Sequence, residues 1–256
     1  MEKIAAVILA AGKGTRMNEG NASPIPKVMF EINKIPMIRY SVDNVKKAGI
    51  SNIVVVVGYK KELIENYLDS EVEYAIQEEQ KGTGHAAMAA LEILQSKTES
   101  LLICYGDMPL FKPETIRNLI DVYENPPAGG KPTIAMLSVK LKDPVSWAYG
   151  RIIRNSAGEV ESIVEQKDCT EEQLKIKESN PGFYIFDAGW FWNNCHKLTS
   201  KNIQGEYYLT DMIGIAKEQG KKIVAIPVSD ESEALGINNP EQLKIAEELL
   251  SGPNKS

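Results

Sequence analysis

The chain has 256 residues, of which 43% are hydrophobic and 25% are charged, with a formal net charge of -6. These proportions are typical of soluble globular proteins and exclude fibrous and low-complexity architectures. The acidic balance argues against a nucleic-acid partner, because such a partner would need clustered Lys and Arg side chains.

Short apolar runs alternate with amphipathic segments in the first half of the chain. Strands that are apolar throughout have both faces covered, which indicates a mostly parallel sheet flanked by helices and therefore an α/β fold. Ligands of such folds bind at the carboxyl ends of the strands. The predicted strands are Ile4–Leu9, Ile53–Val57 and Leu101–Cys104, and the predicted helices are Met37–Ala48, Lys61–Leu68, His85–Leu94 and Glu114–Tyr123.

The second half of the chain continues this pattern after a segment rich in Pro and Gly at 124–130. We interpret that segment as a surface loop. We expect one domain over residues 1–250 and a frayed tail at 251–256. The predicted strands are Thr133–Val139, Glu159–Val164, Gly182–Phe186 and Ile223–Val228, and the predicted helices are Thr210–Gln219 and Pro240–Leu250.

The chain shows no signal for a membrane or for a secreted protein. The apolar run at 4–11 is too short to span a bilayer, and no cleavage pattern follows it. Cys104, Cys169 and Cys195 have neither CxxC spacing nor an even count, which argues against disulfide and zinc frameworks. We therefore expect a cytoplasmic protein without a membrane partner. The sequence leaves the oligomeric state open.

A loop of small residues follows the first predicted strand, with the sequence Leu9-Ala10-Ala11-Gly12-Lys13-Gly14-Thr15-Arg16-Met17. Its backbone amides can approach an anion closely. It is neither a dinucleotide fingerprint, which needs a third small residue where Met17 stands, nor a Walker A loop. An ordinary tight turn is the alternative. Arg16 and Lys27 add two cations suited to a polyphosphate, although each alone is typical of an exposed surface charge.

This loop and the Pro26-Lys27 pair after it resemble the signature of sugar-nucleotide pyrophosphorylases, in particular the N-acetylglucosamine-1-phosphate uridyltransferases. The resemblance implies a Rossmann-like nucleotidyltransferase fold. It continues in order along the chain, through Gln77-x-x-x-x-Gly82-Thr83-Gly84-His85-Ala86, Tyr105-Gly106-Asp107-Met108-Pro109-Leu110, Tyr149-Gly150-Arg151-Ile152, Ile163-Val164-Glu165, Asn180-Pro181-Gly182, Gly205-Glu206-Tyr207-Tyr208-Leu209-Thr210-Asp211 and Gly236-Ile237-Asn238-Asn239.

The resemblance also implies a role for each matching residue. A Gln amide offers both a donor and an acceptor to a pyrimidine edge, and a carboxylate or an amide suits sugar hydroxyl and acetamido groups. A hard cation such as Mg²⁺ takes one or two protein oxygens. The implied residues are Arg16 and Lys27 for catalysis; Leu9, Ala10, Gly12, Gly14, Gln77, Gly82 and Thr83 for the nucleotide; Tyr105, Gly150, Glu165, Asn180, Tyr208 and Thr210 for the sugar; and Asp107 and Asn238 for Mg²⁺.

Several of these residues also have simpler interpretations. Asp107 can form a turn before Pro109, and Asn238 can form an Asx turn. Glu165 can be an exposed strand end, and Tyr208 a core aromatic. The loops 18–25 and 143–148 are longer than is usual in the uridyltransferases. The bifunctional bacterial enzymes of the family also continue into an acetyltransferase domain, whose activity we expect to be absent here.

The implied reaction is Mg²⁺-dependent transfer of a uridylyl group from UTP to N-acetylglucosamine-1-phosphate. The products would be UDP-N-acetylglucosamine and pyrophosphate, formed by direct in-line displacement. A phosphate monoester with a second pKa of about 6 is already largely dianionic, so no general base is needed. His85 and His196 are then structural or exposed. The alternatives are uridylyl or cytidylyl transfer to another sugar-1-phosphate, and a non-catalytic sugar-nucleotide sensor.

Overall fold

The computed structural model describes residues 2–126, 129–145 and 147–251. Its strands are β1 (Glu2–Leu9), β2 (Glu31–Ile32), β3 (Ile35–Pro36), β4 (Ile53–Val57), β5 (Glu73–Ile76), β6 (Thr98–Tyr105), β7 (Ile134–Lys140), β8 (Gly150–Arg154), β9 (Val160–Val164), β10 (Glu178–Asn180), β11 (Tyr184–Asp187) and β12 (Ile223–Pro227). Its helices are α1 (Met37–Lys47), α2 (Lys61–Leu68), α3 (Thr83–Met88), α4 (Leu91–Leu94), α5 (Pro113–Glu124), α6 (Glu171–Leu174), α7 (Ala188–Asn194), α8 (Asp211–Glu218) and α9 (Pro240–Ser251).

Most of the described strands form one mixed sheet in the order β5-β4-β1-β6-β11-β7-β10-β8-β9, with β12 also paired to β7. The strands β5, β4, β1 and β6 are parallel, as are β12 and β7. The pairs that involve β11, β10, β8 and β9 are antiparallel. The predicted α/β class is confirmed. The sheet is parallel in its first half and mainly antiparallel in its second. For β8 and β9 the reason is local, because the connection 155–159 is too short to form a parallel crossover.

Helices cover both faces of the sheet. Successive side chains of a strand point to opposite faces, so Val7 belongs to a cluster with Phe191 of α7, and Ile8 belongs to a second cluster with Val42 of α1. Both strand residues are fully buried. The carboxyl ends of β5, β4, β1 and β6 therefore form a rigid edge, which positions the loops that follow them.

The strands β10 and β11 lie along the same edge of β7 and are interrupted at 181–183. Val139 of β7 pairs with β10, and Met136 pairs with β11. Gly182 in the interruption has φ +83°, a left-handed conformation that favours glycine. Its amide donates to the Asn180 Oδ1 at 3.1 Å. The interruption therefore fixes Asn180 at the end of β10.

A small third cluster joins the C-terminal helix to the loop after β1. It contains Met17, Ile32 of the β2–β3 hairpin, Ile237 and Ala246 of α9. Ile32, Ile237 and Ala246 are fully buried. The packing of these residues holds the segment around 238 beside the loop after β1, although more than 200 residues separate the two in sequence.

The predicted elements agree with the structure except in a few places. The strand Ile53–Val57 and the helix Lys61–Leu68 are confirmed without change. The predicted helix His85–Leu94 is wrong as a single element: it is divided into α3 and α4, because the amides of Ala89 and Ala90 bond three residues back. The sequence does not predict β5, β8, β10 or α7, because polar or glycine residues interrupt the apolar pattern of these segments. It also does not predict β2, β3 or α6, which have only two to four residues each.

Two predicted segments lie partly outside the described residues. In the predicted loop 124–130, Glu124 is the last residue of α5, and residues 127 and 128 are not among those described. In the predicted tail 251–256, Ser251 is the last residue of α9, and residues 252–256 are likewise not described. Over the described ranges, no helix combines the length and the apolar character needed to cross a membrane.

Candidate active site

A cavity of about 310 Å³ lies at the carboxyl ends of the parallel strands. This is the edge at which open α/β sheets bind ligands. Strand ends contribute Leu9 and Tyr105, and loops contribute most of the other lining residues. The cavity is lined by Leu9, Ala10, Ala11, Gly12, Lys27, Val28, Gln77, Gln80, Gly82, Thr83, Ala86, Tyr105, Asp107 and Glu206.

The loop after β1 is shaped by its two glycines in different ways. Gly12 is exposed, and a Cβ added to it would meet no atom within 4 Å. Gly14 has φ +64°, and a Cβ there would lie 2.7 Å from the Lys27 Cβ. The Lys27 amide also donates to the Gly12 carbonyl at 3.3 Å. Gly14 therefore permits the close approach of Lys27, while Gly12 leaves backbone open to the cavity.

Four side chains form a polar cluster at one end of the cavity: Arg16, Lys27, Asp107 and Asn238. The Lys27 ammonium forms an ion pair with the Asp107 carboxylate and donates to the Asn238 Oδ1 at 2.6 Å. The Arg16 guanidinium donates to the same Asn238 oxygen at 3.3 Å. The structure thus brings together both predicted catalytic cations and both predicted metal ligands.

Hydrogen bonds of the backbone hold Asp107 and Asn238 of the polar cluster in place. The amide of Ile237 donates to the Asp107 carbonyl at 3.1 Å. The Asn238 amide donates to the Gln242 Oε1 of α9 at 2.7 Å. Asp107 lies two residues after the end of β6, so the sheet limits its position, and Asn238 is held beside it by the backbone contact of Ile237.

The donor atoms of the polar cluster suit a hard divalent cation. The Asp107 Oδ2 and the Asn238 Oδ1 both contact one cationic nitrogen, that of Lys27, so two oxygen donors converge on a point of positive charge. Mg²⁺ prefers oxygen ligands and takes few from protein. The described residues contain no group of three or more His, Cys, Asp and Glu side chains that could hold a metal ion. The donor set fits Mg²⁺ with two protein ligands.

Gln77, Gly82 and Thr83 meet at the opposite side of the cavity. The Gln77 side chain is buried, and its Nε2 lies 3.1 Å from both the Gly82 carbonyl oxygen and the His85 Nδ1. The Thr83 Oγ1 accepts from the Leu209 amide at 3.0 Å. The donor end of the Gln77 amide is therefore occupied, and only its acceptor end is available to a ligand. This corrects the expectation that both ends are available.

Tyr105 connects this side of the cavity to the predicted sugar residues. Its hydroxyl interacts with Thr83 and with Tyr184, and burial raises the pKa of Tyr105. Tyr184 in turn accepts a hydrogen bond from the Asn180 Nδ2. A Cβ on Gly182 would lie 2.1 Å from the Tyr105 ring. Tyr105 therefore packs tightly against the turn that fixes Asn180.

Glu165, Thr210 and Gly150 form the centre of the predicted sugar site. The Thr210 hydroxyl donates to the Glu165 Oε1 at 2.9 Å. A Cβ on Gly150 would lie 3.5 Å from the Glu165 Oε2. Withdrawal of the Glu165 carboxylate from water raises its pKa, and the carboxylates of Asp211 and Asp168 act in the same direction. The hydrogen bond from Thr210 uses Oε1 of this carboxylate, and a carboxylate oxygen such as Oε2 can accept hydrogen bonds from a polar ligand.

The Tyr208 side chain is buried near this group but bonds elsewhere. Its hydroxyl donates to the Asp168 Oδ2 at 3.0 Å and accepts from the Gln204 Nε2 at 2.8 Å. Burial raises the pKa of Tyr208 to about 12. The hydroxyl thus already donates and accepts one hydrogen bond within the protein, and neither of these bonds is to Glu165.

The predicted site residues separate into three groups by position. Most predicted nucleotide residues line the cavity, together with Lys27, Tyr105 and Asp107. Gly14, Arg16 and Asn238 do not line the cavity but lie beside it. Gly14 and Asn238 contact Lys27, which lines the cavity, and Arg16 contacts Asn238. The predicted sugar residues other than Tyr105 do not line the cavity: Gly150, Glu165, Asn180, Tyr208 and Thr210.

The sequence reasoning missed some residues of the site. Gln80 and Glu206 line the cavity. Gln80 lies at an unspecified position of the motif that begins at Gln77, and Glu206 is part of the motif that begins at Gly205, to which no role was given. Their place between recognised residues is a signal that could have found them. Tyr184 and Asp168 connect the predicted sugar residues, and no motif signal marks either of them.

Comparison with known proteins relates the chain to nucleotidyltransferases. A model of the MobA-like NTP transferase domain matches residues 6–163. Bifunctional protein GlmU of Clostridium botulinum (strain Loch Maree / Type A3) is 44% identical over 246 residues, which cover 96% of this chain and 51% of the relative. Bifunctional protein GlmU of Enterococcus faecalis (strain ATCC 700802 / V583) is 40% identical over 250 residues, which cover 98% and 52%. The chain spans about half the length of the curated relatives it matches.

Two solved structures share the fold at a TM-score of 0.76 and 20% sequence identity. One is a putative glucose-1-phosphate thymidylyltransferase from Bacillus anthracis in complex with a sucrose, with 99% of this chain and 97% of that chain covered. The other is a UDP-glucose pyrophosphorylase complexed with UDP-glucose, with 98% and 99% covered. They confirm the predicted nucleotidyltransferase fold. Because the family model matches more than half of its residues, the chain belongs to the MobA-like NTP transferase domain family and is a nucleotidyltransferase.

Proposed function

We propose that the chain transfers a uridylyl group from UTP to N-acetylglucosamine-1-phosphate and releases UDP-N-acetylglucosamine and pyrophosphate. The observation that carries this proposal is the polar cluster, in which Lys27 contacts both Asp107 and Asn238. The cluster adjoins the cavity on one side, and Tyr105 connects that cavity to the group around Glu165 on the other. In this proposal, the nucleotide binds in the cavity between these two groups, and the phosphates of both substrates face the cations of the polar cluster.

The nucleotide end of this site, as we define it, comprises Leu9, Ala10, Gly12, Gly14, Gln77, Gly82 and Thr83. It suits a nucleoside triphosphate for two reasons. The loop of small residues leaves backbone amides accessible to phosphate oxygens. The free Oε1 of Gln77 can accept the N3–H of uracil, whereas the corresponding N3 of cytosine is an acceptor and would be repelled.

The sugar end comprises Gly150, Glu165, Asn180 and Thr210, with Tyr208 nearby. A carboxylate accepts hydrogen bonds from sugar hydroxyl groups, and an amide can pair with an acetamido group. Gly150 keeps the space next to the Glu165 carboxylate free of a side chain. These features favour an amino sugar over a plain hexose, and the same residues match the uridyltransferase motifs.

In this proposal, catalysis depends on the positioning of the two substrates and on the neutralisation of their phosphate charge. The sugar phosphate has a second pKa of about 6 and arrives as a nucleophile without a general base. Its oxygen attacks the α-phosphorus of UTP in line with the departing pyrophosphate. Lys27 and Arg16 offset the negative charge of the phosphates, and binding at the two ends brings the reacting atoms together.

Mg²⁺ would be held by Asp107 and Asn238. When bound, it would supply a positive charge that stabilises the negative charge that develops on pyrophosphate. We also propose a cytoplasmic location, because the three cysteines are all free among the described residues and disulfides are rare in cytosolic proteins.

The experiment that tests this function is pyrophosphate release with each of four nucleoside triphosphates and several sugar-1-phosphates. We expect the highest kcat/KM for UTP with N-acetylglucosamine-1-phosphate. A clear preference for another base or sugar would overturn the substrate assignment. If no pair of substrates releases pyrophosphate, the result would favour a non-catalytic sugar-nucleotide sensor. A UTP analogue that is chiral at the α-phosphorus tests the mechanism, because direct displacement inverts that centre and a covalent intermediate retains it.

A further inference from the structure

The buried side chain of Gln77 is fixed by its backbone and by two contacts of its amide. Gln77 follows β5, and its backbone amide donates to the Val57 carbonyl at 2.8 Å. The side chain lines the cavity and is only 4% exposed. Its Nε2 lies 3.1 Å from the Gly82 oxygen and 3.1 Å from the His85 Nδ1. Both partners therefore contact the same end of the amide.

The chemistry of these two partners determines how the amide is oriented. The Gly82 carbonyl can only accept, so the atom that faces it must be the NH₂ group of Gln77. The second N–H of that group points to the His85 Nδ1, which must carry a lone pair, so the imidazole has its proton on Nε2. The described residues offer no hydrogen bond to the Gln77 Oε1, which is left as the part of the amide available to a ligand.

His85 is itself held in place by the start of α3. The amide of Gly84 donates to the Tyr207 carbonyl at 2.8 Å, and the amide of Ala86 donates to the Gly82 carbonyl at 3.0 Å. The His85 and Tyr207 rings have centroids 6.2 Å apart and planes tilted by 33°. The acceptor on His85 is thus supplied from a helix that is anchored on both sides of the residue.

We propose that His85 is a positioning residue that sets the base preference of the enzyme. By accepting from the Gln77 NH₂, it keeps Oε1 directed to the base, which favours uracil over cytosine. Without this acceptor, the amide is held by Gly82 alone and can rotate more easily, so that its NH₂ meets the N3 of cytosine. This inference rests on the proposed use of UTP and goes beyond it, because it assigns a role to a histidine that the reaction itself does not need.

The test compares the dissociation constants of UTP and CTP, each measured alone by calorimetry, for wild type and two variants. His85→Leu removes the acceptor. His85→Asn keeps one, because an Asn Oδ1 occupies nearly the position of a His Nδ1. His196→Leu is the matched control, since His196 is the second histidine of the chain and is exposed. Thermal denaturation of each variant establishes that it is folded.

We expect the preference for UTP over CTP to fall about five- to tenfold in His85→Leu, the size expected for loss of one buried hydrogen bond. It should recover in His85→Asn and stay unchanged in His196→Leu. A merely structural role would weaken both nucleotides equally and leave the preference unaltered. An unchanged preference in folded His85→Leu, or a wild type without preference, would overturn the role of His85.

Failure of the proposed function has a different signature. If wild type binds UTP in preference to CTP but releases no pyrophosphate with any sugar-1-phosphate, then the transfer reaction is wrong. The preference ratio in His85→Leu would still decide the positioning role in that case. The two proposals can therefore fail independently.

Discussion

The nucleotide end of the site is formed largely by backbone, whereas the sugar end is formed by side chains that are distant in sequence. Gly12 and Gly82 contribute main chain to the lining of the cavity, at the parallel half of the sheet. The bond between Thr210 and Glu165 joins segments that belong to the antiparallel half and to α8. Substitutions at the first end should therefore act through sterics and conformation, and those at the second through charge and hydrogen bonding.

The largest effect is expected at the polar cluster, which is proposed to act on the phosphates of both substrates. Asp107→Asn keeps the size of the side chain but removes its charge, so turnover at limiting Mg²⁺ should fall about 100- to 1000-fold. Excess Mg²⁺ should restore part of the rate, and circular dichroism should be native. The control is Asp43→Asn, because Asp43 forms a surface ion pair with Arg39 at 3.4 Å. Near-normal turnover would make Asp107 a turn residue.

A substitution at the nucleotide end should affect UTP alone. Gly82 has φ +105°, and a Cβ there would lie 2.6 Å from the Tyr207 carbonyl oxygen. Gly82→Ala should raise the KM for UTP, with a strain of about 1–3 kcal/mol, or roughly 5- to 150-fold. Gly220→Ala is the matched control, because Gly220 also has a positive φ, +64°, but meets no atom within 4 Å. An equal increase in the KM for the sugar phosphate would contradict the separation of the nucleotide end from the sugar end.

A substitution at the sugar end should show the reverse pattern. Glu165→Ala removes a charged acceptor and should raise the KM for the sugar phosphate about 10- to 100-fold, with little change for UTP. Steady-state kinetics with each substrate varied in turn measure this difference. Glu172→Ala, at an exposed position on α6, serves as the control. Equal losses for both substrates would contradict the sugar role of Glu165.

The smallest effect concerns stability, and it has opposite signs at two carboxylates. Burial raises the pKa of Glu165 above its ordinary value of 4.5. The folded protein then binds the proton more tightly, so ionisation of Glu165 lowers stability as the pH rises above about 4.5. Glu165→Gln should therefore raise the Tm at pH 7, and this gain should disappear at low pH.

Glu178 provides the contrast to Glu165. Its hydrogen bonds to Arg154 lower the pKa of Glu178, so its contribution to stability is present above the ordinary pKa and is lost as the pH falls through the lowered value. Glu178→Gln should lower the Tm at pH 7, with a difference that shrinks in acid. Thermal denaturation of both variants across the pH range measures the effects. Shifts of the same sign would mean that burial does not dominate at Glu165.

The sequence predicts the nucleotide end better than the sugar end, for physical reasons. Gly12 and Gly14 lie soon after the end of an apolar strand, so the local sequence pattern identifies them. The orientation of the Gln77 amide depends on contacts with Gly82 and His85, and no pattern reports such contacts. The Glu165 carboxylate accepts a hydrogen bond from Thr210, 45 residues away, and no local pattern reports that contact. The strand interruption at Gly182 likewise hides β10, because its pairing with β7 is long-range.

The most direct test of the account is a crystal structure with UDP-N-acetylglucosamine and Mn²⁺, in which anomalous scattering locates the metal ion. We expect the uracil beside Gln77 and Gly82, the acetamido sugar beside Glu165 and Asn180, and the ion bound by Asp107 and Asn238. A nucleotide bound elsewhere, or an ion that contacts neither Asp107 nor Asn238, would contradict the account.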